Sequence, residues 1–288
     1  MNKINMNKIN IITYNVLSSN LADLMQSEIK NNNKVYPSEI MDNKVRWEKV
    51  SAFIKDKIKQ KLPNLVFCLQ EVSEDWLILF ATLFNSLSYS YINVQHGRVF
   101  NGNMGVLIAY PTYLTIIKSE FYCVGKHILI TDDDSAKAAS KLNIAIFIIF
   151  ENQSINTKFG VITYHMPCEP SVPRIGLIHS KILYKKIIKF MADTVWIFAG
   201  DLNITPDTIS YSYLSSKTNC IWKNYLTFYP ITNHAYIRGF EFSGCLDYMF
   251  YSNGIQCLNL LFPKVNNILP DALEPSDHIP ILATFGYI

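Results

Sequence analysis

The sequence predicts an α/β domain, on three observations. Its 288 residues, 49% hydrophobic, suffice for one large α/β core or two small ones. Short apolar, β-rich runs that stop abruptly at a polar residue alternate with segments whose apolar positions keep helical spacing. No Pro/Ser-rich linker and no shift in composition divides the chain, so residues 9–288 read as a single domain. MNKIN is repeated at residues 1 and 6, and residues 1–8 are expected to be a disordered lead-in.

Composition excludes several classes. A net charge of +3, with no block of Lys or Arg, is compatible with a polyanionic substrate but argues against non-specific coating of DNA. The six cysteines form no CxxC pair and several lie inside apolar runs, which predicts free thiols in a reducing compartment and no zinc site. The longest apolar run, residues 144–150, is too short to span a bilayer, and the N-terminus lacks the apolar stretch of a signal peptide. A soluble, intracellular, cytoplasmic protein is expected, without a membrane partner.

In chain order, residues 9–14 form a β-rich segment that delivers Asn15 into the polar turn Val-Leu-Ser-Ser-Asn. A turn-forming asparagine is the structural alternative there. Residues 26–45, polar and Asn-rich around Tyr36-Pro37, predict an irregular, mobile loop. Val45, Val50, Phe53, Ile54 and Ile58 then approximate helical spacing, predicting an amphipathic helix to about Lys61 that Pro63 ends. Residues 65–69 read as a buried strand carrying Glu71 at its end, where an unpaired charge must emerge at the sheet's edge or meet a cation. Ser73 is the natural cap of a helix over residues 76–87, which leaves Glu71 for a metal. Further strands are expected at residues 89–94, 106–110, 114–117 and 144–150. Asp132 to Asp134 read as a solvated turn, because adjacent carboxylates repel one another.

Residues 159–164 form another strand, ending at His165 and followed by two prolines within five residues, a place where active-site loops are built. A basic, amphipathic helix over residues 175–191 leads into the strand VWIFA at residues 195–199. Asp201 and Asn203 flank Leu202, so on an extended backbone they point to the same side. They could equally cap a helix starting near Pro206. Residues 240–252 read as one alternating, aromatic strand with Asp247 inside it. A carboxylate there needs a partner such as histidine, and the C-terminal pair Asp277-His278 can supply one.

Asn15, Glu71, His165, Asp201, Asn203, Asp247 and Asp277-His278 thus stand at the ends of separate strands. Carboxylate and amide oxygens with two histidines, and no thiolate cluster, suit Mg²⁺ or Mn²⁺ better than zinc. Such a set fits hydrolysis of a phosphate ester.

The strings TYNVL, LQEV, TYHMP, AGDLN, CLDYMFYS and EPSDHIP resemble, in order and across nearly the whole chain, the successive motifs of the endonuclease/exonuclease/phosphatase superfamily. That resemblance implies a four-layer α/β sandwich of the DNase I-like type, with two mixed β-sheets flanked by helices and a Mg²⁺ site at one edge. It makes Glu71 the principal metal ligand, with Asn15 and Asp277 close to the ion. Asp201 would orient or deprotonate the attacking water, Asn203 and His165 would hold the phosphate, and His278 would contact it, kept in place by Asp247. The strings YPSEIMDNKVRW, GDLNITPDTISYSYL and TNHAYIRGFEFSGCLDYMFYS are most similar to the deadenylase branch, to which nocturnin and the 2′,5′-oligoadenylate phosphodiesterase also belong.

In that branch an adenine lies between a proline five residues after the motif histidine and a phenylalanine five before the motif aspartate. Those positions are Pro170 and Phe242 here, against the alternatives of a rigid loop and a core aromatic. The loop HMPCEPSVP departs from the branch in lacking an aromatic after the histidine. The resemblance implies a Mg²⁺-dependent phosphodiesterase acting from the 3′ end of single-stranded RNA, adenylate preferred, without a leucine-rich-repeat recruitment module. The alternatives are an enzyme for 2′,5′-oligoadenylate or another small nucleotide, and an inactive RNA- or protein-binding scaffold.

Overall fold

The computed structural model describes residues 7–30, 33–225 and 228–288. Its first half comprises β1 (Lys8–Asn15), α1 (Ser19–Met25), the two-residue strands β2 (Ile29–Lys30) and β3 (Asn33–Lys34), α2 (Ser38–Met41), α3 (Asn43–Lys59), β4 (Leu65–Val72), α4 (Glu74–Ser86), β5 (Tyr89–Gln95) and β6 (Gly105–Pro111). Then follow β7 (Thr115–Cys123), α5 (Asp133–Ala139), β8 (Ile144–Asn152), β9 (Thr157–Thr163), α6 (Pro173–Met191), β10 (Trp196–Asp201) and α7 (Ile209–Ser215). The chain closes with β11 (Asn219–Cys220), β12 (Asn233–Ile237), β13 (Phe240–Gly244), β14 (Asp247–Tyr251), β15 (Ile255–Leu261) and β16 (Ile281–Tyr287).

Two crossovers position everything else. β1 and β4 are parallel neighbours, from Asn10 opposite Leu65 to Asn15 opposite Gln70, and α3 lies between them in sequence. β9 and β10 are likewise parallel, from Gly160 opposite Trp196 to Thr163 opposite Ala199, with α6 between them. Parallel strands require such a crossover, and it brings both C-terminal ends to the same edge of the sheet. Around these pairs the remaining strands add antiparallel, giving sheets ordered β15-β16-β1-β4-β6-β5 and β11-β14-β10-β9-β8-β7.

The larger core fills the space between the sheets, where Ile9, Ile11, Val66, Cys68 and Ile108 pack with Ile146, Ile148, Val161 and Ala199. On the outer face of the first sheet, Ile12, Tyr14, Phe67 and Leu69 meet Val50 and Ile54 of α3 and Trp76, Phe80 and Phe84 of α4. β1 and β4 are therefore buried on both faces, which is why β4 reads as an unbroken apolar run from Leu65 to Leu69. α6 packs Leu183, Ile187 and Phe190 into the core, completing helix, sheet, sheet, helix. This is the four-layer sandwich of mixed sheets that the motifs imply.

Several boundaries move for identifiable reasons. α3 starts at Asn43 because the Asp42 carboxylate accepts from the N–H groups of Lys44 and Val45, and it ends at Lys59, before Pro63 is reached. The loop expected over residues 26–45 instead contains β2, β3 and α2, with Tyr36 buried and its hydroxyl donating to Tyr236 O at 3.1 Å; residues 31–32 lie outside the described residues. Ser73 stands at the N-cap of α4 but makes no side-chain cap bond, taking a 3.2 Å bond from Ser19 Oγ instead. Asp132 is no solvated turn: it opens α5 through a capping box with Ser135 and pairs with Arg174 at 2.7 Å. The expected strand over residues 240–252 is two strands in different sheets, broken at Cys245-Leu246, so Asp247 begins β14 rather than lying mid-strand. Of the lead-in, residues 1–6 lie outside the described residues, and Lys8 already belongs to β1, opposite Gly286.

Candidate active site

The C-terminal ends of β1, β4, β9 and β10 converge at one edge. At the end of β4 the register against β6 shifts between Gln70 and Val72, and Glu71 takes the left-handed φ of 57°. Such a bulge re-aims a side chain. Gln70 points between the sheets, where its amide donates to Thr163 Oγ1 at 3.0 Å, while Glu71 turns to the edge. Its Oε2 accepts from Ser18 N at 3.1 Å and its Oε1 from Asn15 Nδ2 at 3.0 Å. The same amide nitrogen donates to Asp201 Oδ2 at 3.0 Å. Asn15 Oδ1 accepts from Leu17 N at 3.0 Å, which fixes the amide with its N–H groups toward the two carboxylates.

Asp201, at the end of β10, is almost wholly buried, and its Oδ1 accepts from Asn203 N at 2.9 Å. Asn203 adopts φ 48° and donates from Nδ2 to Met166 O at 2.9 Å, tying the loop after β9 to the end of β10. The capping alternative for this pair does not hold: α7 starts at Ile209, with Thr208 accepting from Tyr211 N. His165 Nε2 lies 3.4 Å from Asp201 Oδ2 and 3.8 Å from Glu71 Oε1. Asp247 faces Asp201 across the β10/β14 ladder and meets His278 Nδ1 at 2.7 Å, while His278 Nε2 stands 3.5 Å from Asp201 Oδ2. Burial works against a charged ring at His278, yet Asp247, Asp201 and Asp277 together outweigh it and hold the imidazole well above the ordinary histidine range. Asp277 accepts from Asn233 Nδ2 at 3.2 Å, and burial pushes its carboxyl up to about 6, with His278 opposing and Glu71 and Asp201 adding.

A model of the endonuclease/exonuclease/phosphatase family matches residues 12–278. The chain belongs to that family. Solved structures of similar fold include the human nocturnin catalytic domain with bound sulfate, with a TM-score of 0.72 at 19% identity over 98% of this chain and 94% of that one. ANGEL2, a 2′,3′-cyclic phosphatase, in complex with adenosine-2′,3′-vanadate gives 0.78 at 18% identity, over 98% and 96%. D. rerio TDP2 complexed with a single-strand DNA product gives 0.67 at 14%, over 97% and 99%. No curated protein sequence matches the chain.

Members of the endonuclease/exonuclease/phosphatase family are hydrolases of phosphodiester bonds that depend on a divalent metal, and the donor set here fits one. Ligand atoms of Glu71, His165 and Asp201 lie within 4.8 Å of one another, as do those of Asp201, Asp247 and His278. His165 Nδ1 is buried with no hydrogen-bond partner among the described residues. Among the described residues no helix is long and apolar enough to cross a membrane.

Asn15, Glu71, His165, Asp201, Asn203, Asp247 and His278 are thus joined in one network, and Asp277 borders it. Pro170 and Phe242 stand outside the network. Pro170 is exposed in the turn after β9. Phe242 is 39% exposed on β13, so it is not the core aromatic of the alternative reading.

Sequence reasoning missed the supports. Arg46, fully buried in α3, donates to Val16 O and Pro275 O at 2.8 Å each, to Leu17 O, and to Asn43 Oδ1 at 2.9 Å. It ties the loop after Asn15 to the loop before Asp277, and burial lowers its guanidinium to about 10. A lone arginine among apolar helical positions reads as solvent face, although the string KVRW contained it. Ser276, donating to Asn15 O at 2.7 Å, and Asn233 likewise lay inside recognised strings without a charge to mark them.

Proposed function

We propose that this chain is a Mg²⁺-dependent phosphodiesterase that removes nucleotides from the 3′ end of single-stranded RNA and prefers adenylate. The observation that carries the reading is the single asparagine amide that holds Glu71 and Asp201 in 3.0 Å bonds, with His165 and His278 at 3.4 and 3.5 Å from the same Asp201 oxygen. Glu71, with Asp277 beside it, would hold the ion through hard oxygen donors, while Asn15, whose Oδ1 is taken by Leu17 N, stands close to the ion and holds the two carboxylates rather than binding it as an oxygen ligand. Mg²⁺, or Mn²⁺, supplies neutralisation of charge on the phosphoryl and leaving oxygens when bound.

The chain's own groups divide the remaining work. Asp201, with Oδ1 fixed by Asn203 N, would take the proton of the attacking water at Oδ2. His278 as imidazolium would donate from Nε2 to a phosphoryl oxygen, its ring oriented by Asp247 at Nδ1. His165 and Asn203 would contact the remaining phosphoryl oxygens. The adenylate preference rests on Pro170 and on Phe242, whose exposed ring sits on a hairpin joined to the site by Asn233.

A second reading, hydrolysis of 2′,5′-oligoadenylate or another small nucleotide, is favoured by the loop at residues 165–173, which carries no aromatic. The deciding experiment incubates the protein and Mg²⁺ with labelled oligoadenylate in 3′,5′ and 2′,5′ linkage, mixed-sequence RNA, adenosine 2′,3′-cyclic phosphate and a nicotinamide dinucleotide 2′-phosphate. Release of adenosine 5′-phosphate from the 3′,5′-linked chain, abolished by EDTA, is expected. Turnover of the small nucleotides alone would overturn the exoribonuclease reading, and no turnover of any substrate would point to a binding scaffold.

A further inference from the structure

The hairpin β12–β13 has two unlike faces. On one, Tyr236 and His234 lie opposite Glu241 and Ser243; Glu241 is paired with Lys30 and, at 3.0 Å, with His234, and the neighbouring Tyr36 hydroxyl bonds the backbone of Tyr236. On the other, the cross-strand pairs run Asn233–Gly244, Ala235–Phe242 and Ile237–Phe240, because alternate residues of a strand share a face. This second face starts at the candidate site: Asn233 forms a β-bridge with His278 and donates to Asp277 Oδ2. The Phe242 ring leans toward that end, since a Cβ placed on Gly244 would lie 2.9 Å from Phe242 Cζ.

Moving away from the site, the next residue on the face is Phe240, which is 78% exposed. The turn beyond it consists of Arg238 and Gly239, with φ 53° and 81°. A left-handed turn of this kind ordinarily takes Asn or Gly at both central positions, so an exposed arginine there is an uncommon occupant. Glu28 accepts from the N–H groups of both turn residues, at 2.7 and 3.4 Å, and so anchors the tip.

We infer that this face is a track for the single strand behind the terminal nucleotide, with Phe240 stacking on the penultimate base and Arg238 meeting a phosphate beyond it. The inference rests on the reading above, which puts the terminal adenine on Phe242. Residues two apart on a strand are separated by about 6.6 Å, roughly twice the rise of a stacked nucleic-acid strand, so the track selects an extended, unstacked chain. Exposed aromatics in line with a cation are how single strands are held without reading sequence. The occupant is a polynucleotide rather than a free mononucleotide, which has nothing to place on Phe240.

The test pairs a protein variant with a substrate variant. Phe240→Ala removes an exposed ring and opens no cavity, so the fold is retained. Oligoadenylate is compared with the same chain carrying an abasic sugar at the penultimate position, with Mg²⁺ and the intact protein. In the wild type the abasic sugar is expected to lower kcat/KM about tenfold. In Phe240→Ala the normal chain is already about tenfold slower, and the abasic sugar costs nothing more. Arg238→Gln is expected to reduce the slope of log affinity against log salt by about 0.7. Equal losses from the abasic sugar in both proteins would overturn the base platform, and an unchanged salt slope would overturn the phosphate contact. Anisotropy titrations with the same two oligonucleotides separate this from failure of the functional reading. If RNA binds with the same Phe240 dependence but is not hydrolysed, the track stands and the exoribonuclease falls; hydrolysis that ignores Phe240 and the abasic sugar gives the reverse.

Discussion

The two crossover halves of this molecule share a topology and support their strand ends by opposite means. In β1–α3–β4 the helix contributes a buried cation, Arg46, whose guanidinium is spent on main-chain oxygens of the loops around Asn15 and Asp277. In β9–α6–β10 the corresponding buried polar group is His179, whose Nδ1 meets Tyr164 hydroxyl at 2.7 Å and whose Nε2 meets Ala138 O at 3.0 Å. Burial lowers His179 to about 4, so it is a neutral link between Tyr164 and Ala138. The first half therefore fixes its loops with charge, and the second with a neutral hydrogen-bonded chain. Positive charge under the first half suits the side that carries Glu71 and Asp277.

The largest expected effect breaks both halves at their shared point. Glu71→Ala and Asp201→Asn should each lower kcat by about a thousandfold or more, in line with the loss of a group aimed at developing charge. Neither should lower Tm strongly, because relief of two crowded carboxylates offsets the acceptor that Glu71→Ala takes from Ser18 N, and neither change opens an apolar cavity. Circular dichroism melts alongside activity check this; a near wild-type rate for either variant would remove that residue from the site.

Arg46→Met against His179→Phe sharpens the comparison. Removing Arg46 leaves three buried carbonyl oxygens without a donor, and should destabilise by about 3 to 5 kcal/mol while displacing Asn15 and Asp277. Removing His179 takes the partner of the Tyr164 hydroxyl, while Ala138 O keeps Lys141 N at 3.2 Å, and should cost about 1 to 3 kcal/mol with activity largely kept. Urea melts of both variants test the ranking, and equal costs would show that the charge has no special part.

These supports also mark where the sequence stopped being legible. Strand cores and their polar ends could be read because burial on both faces leaves no other use for an apolar run, and because Glu71, Asp201 and Asp247 cannot remain there unpartnered. The bulge at Glu71 could not be read, since a left-handed glutamate has no local sequence signature. The break at Cys245-Leu246 was hidden because β13 and β14 are both aromatic and only tertiary context assigns them to different sheets. Arg46 and His179 were invisible for a related reason: a polar residue on a helix reads as exposed unless the loops that need it are known.

A third prediction uses pH, and concerns the first half alone. Glu274 accepts from the Tyr14 hydroxyl, and burial raises its carboxyl from 4.5 to about 8. The folded state thus holds a proton that the unfolded chain releases above about 4.5. The stability contributed by this proton is complete below that value and is lost as pH rises through about 8, a change on the order of a few kcal/mol. Glu274→Gln keeps a hydrogen-bonding group of the same shape without the titration. The wild-type Tm should fall between pH 6 and 9, while the variant's should fall less; parallel curves would assign the pH dependence elsewhere.

The smallest effect concerns the rim rather than the halves. Phe242 is 39% exposed, on a two-stranded hairpin outside both six-stranded sheets. Truncating a buried phenylalanine costs about 3 to 5 kcal/mol through the cavity left behind, and this site offers little cavity to leave. Phe242→Ala should therefore change stability by less than about 1 kcal/mol. If the ring stacks on adenine, binding should weaken by roughly 1 to 3 kcal/mol, and the preference for oligoadenylate over other homopolymers should shrink in step. Metal dependence should stay as it was, since a phenyl ring supplies no ligand. Melting temperature and activity on two homopolymers, measured on one preparation, separate the cases. An unaltered base preference with an unaltered Tm would leave Phe242 as an idle surface aromatic, and adenylate would lose its claim over other RNA 3′ ends.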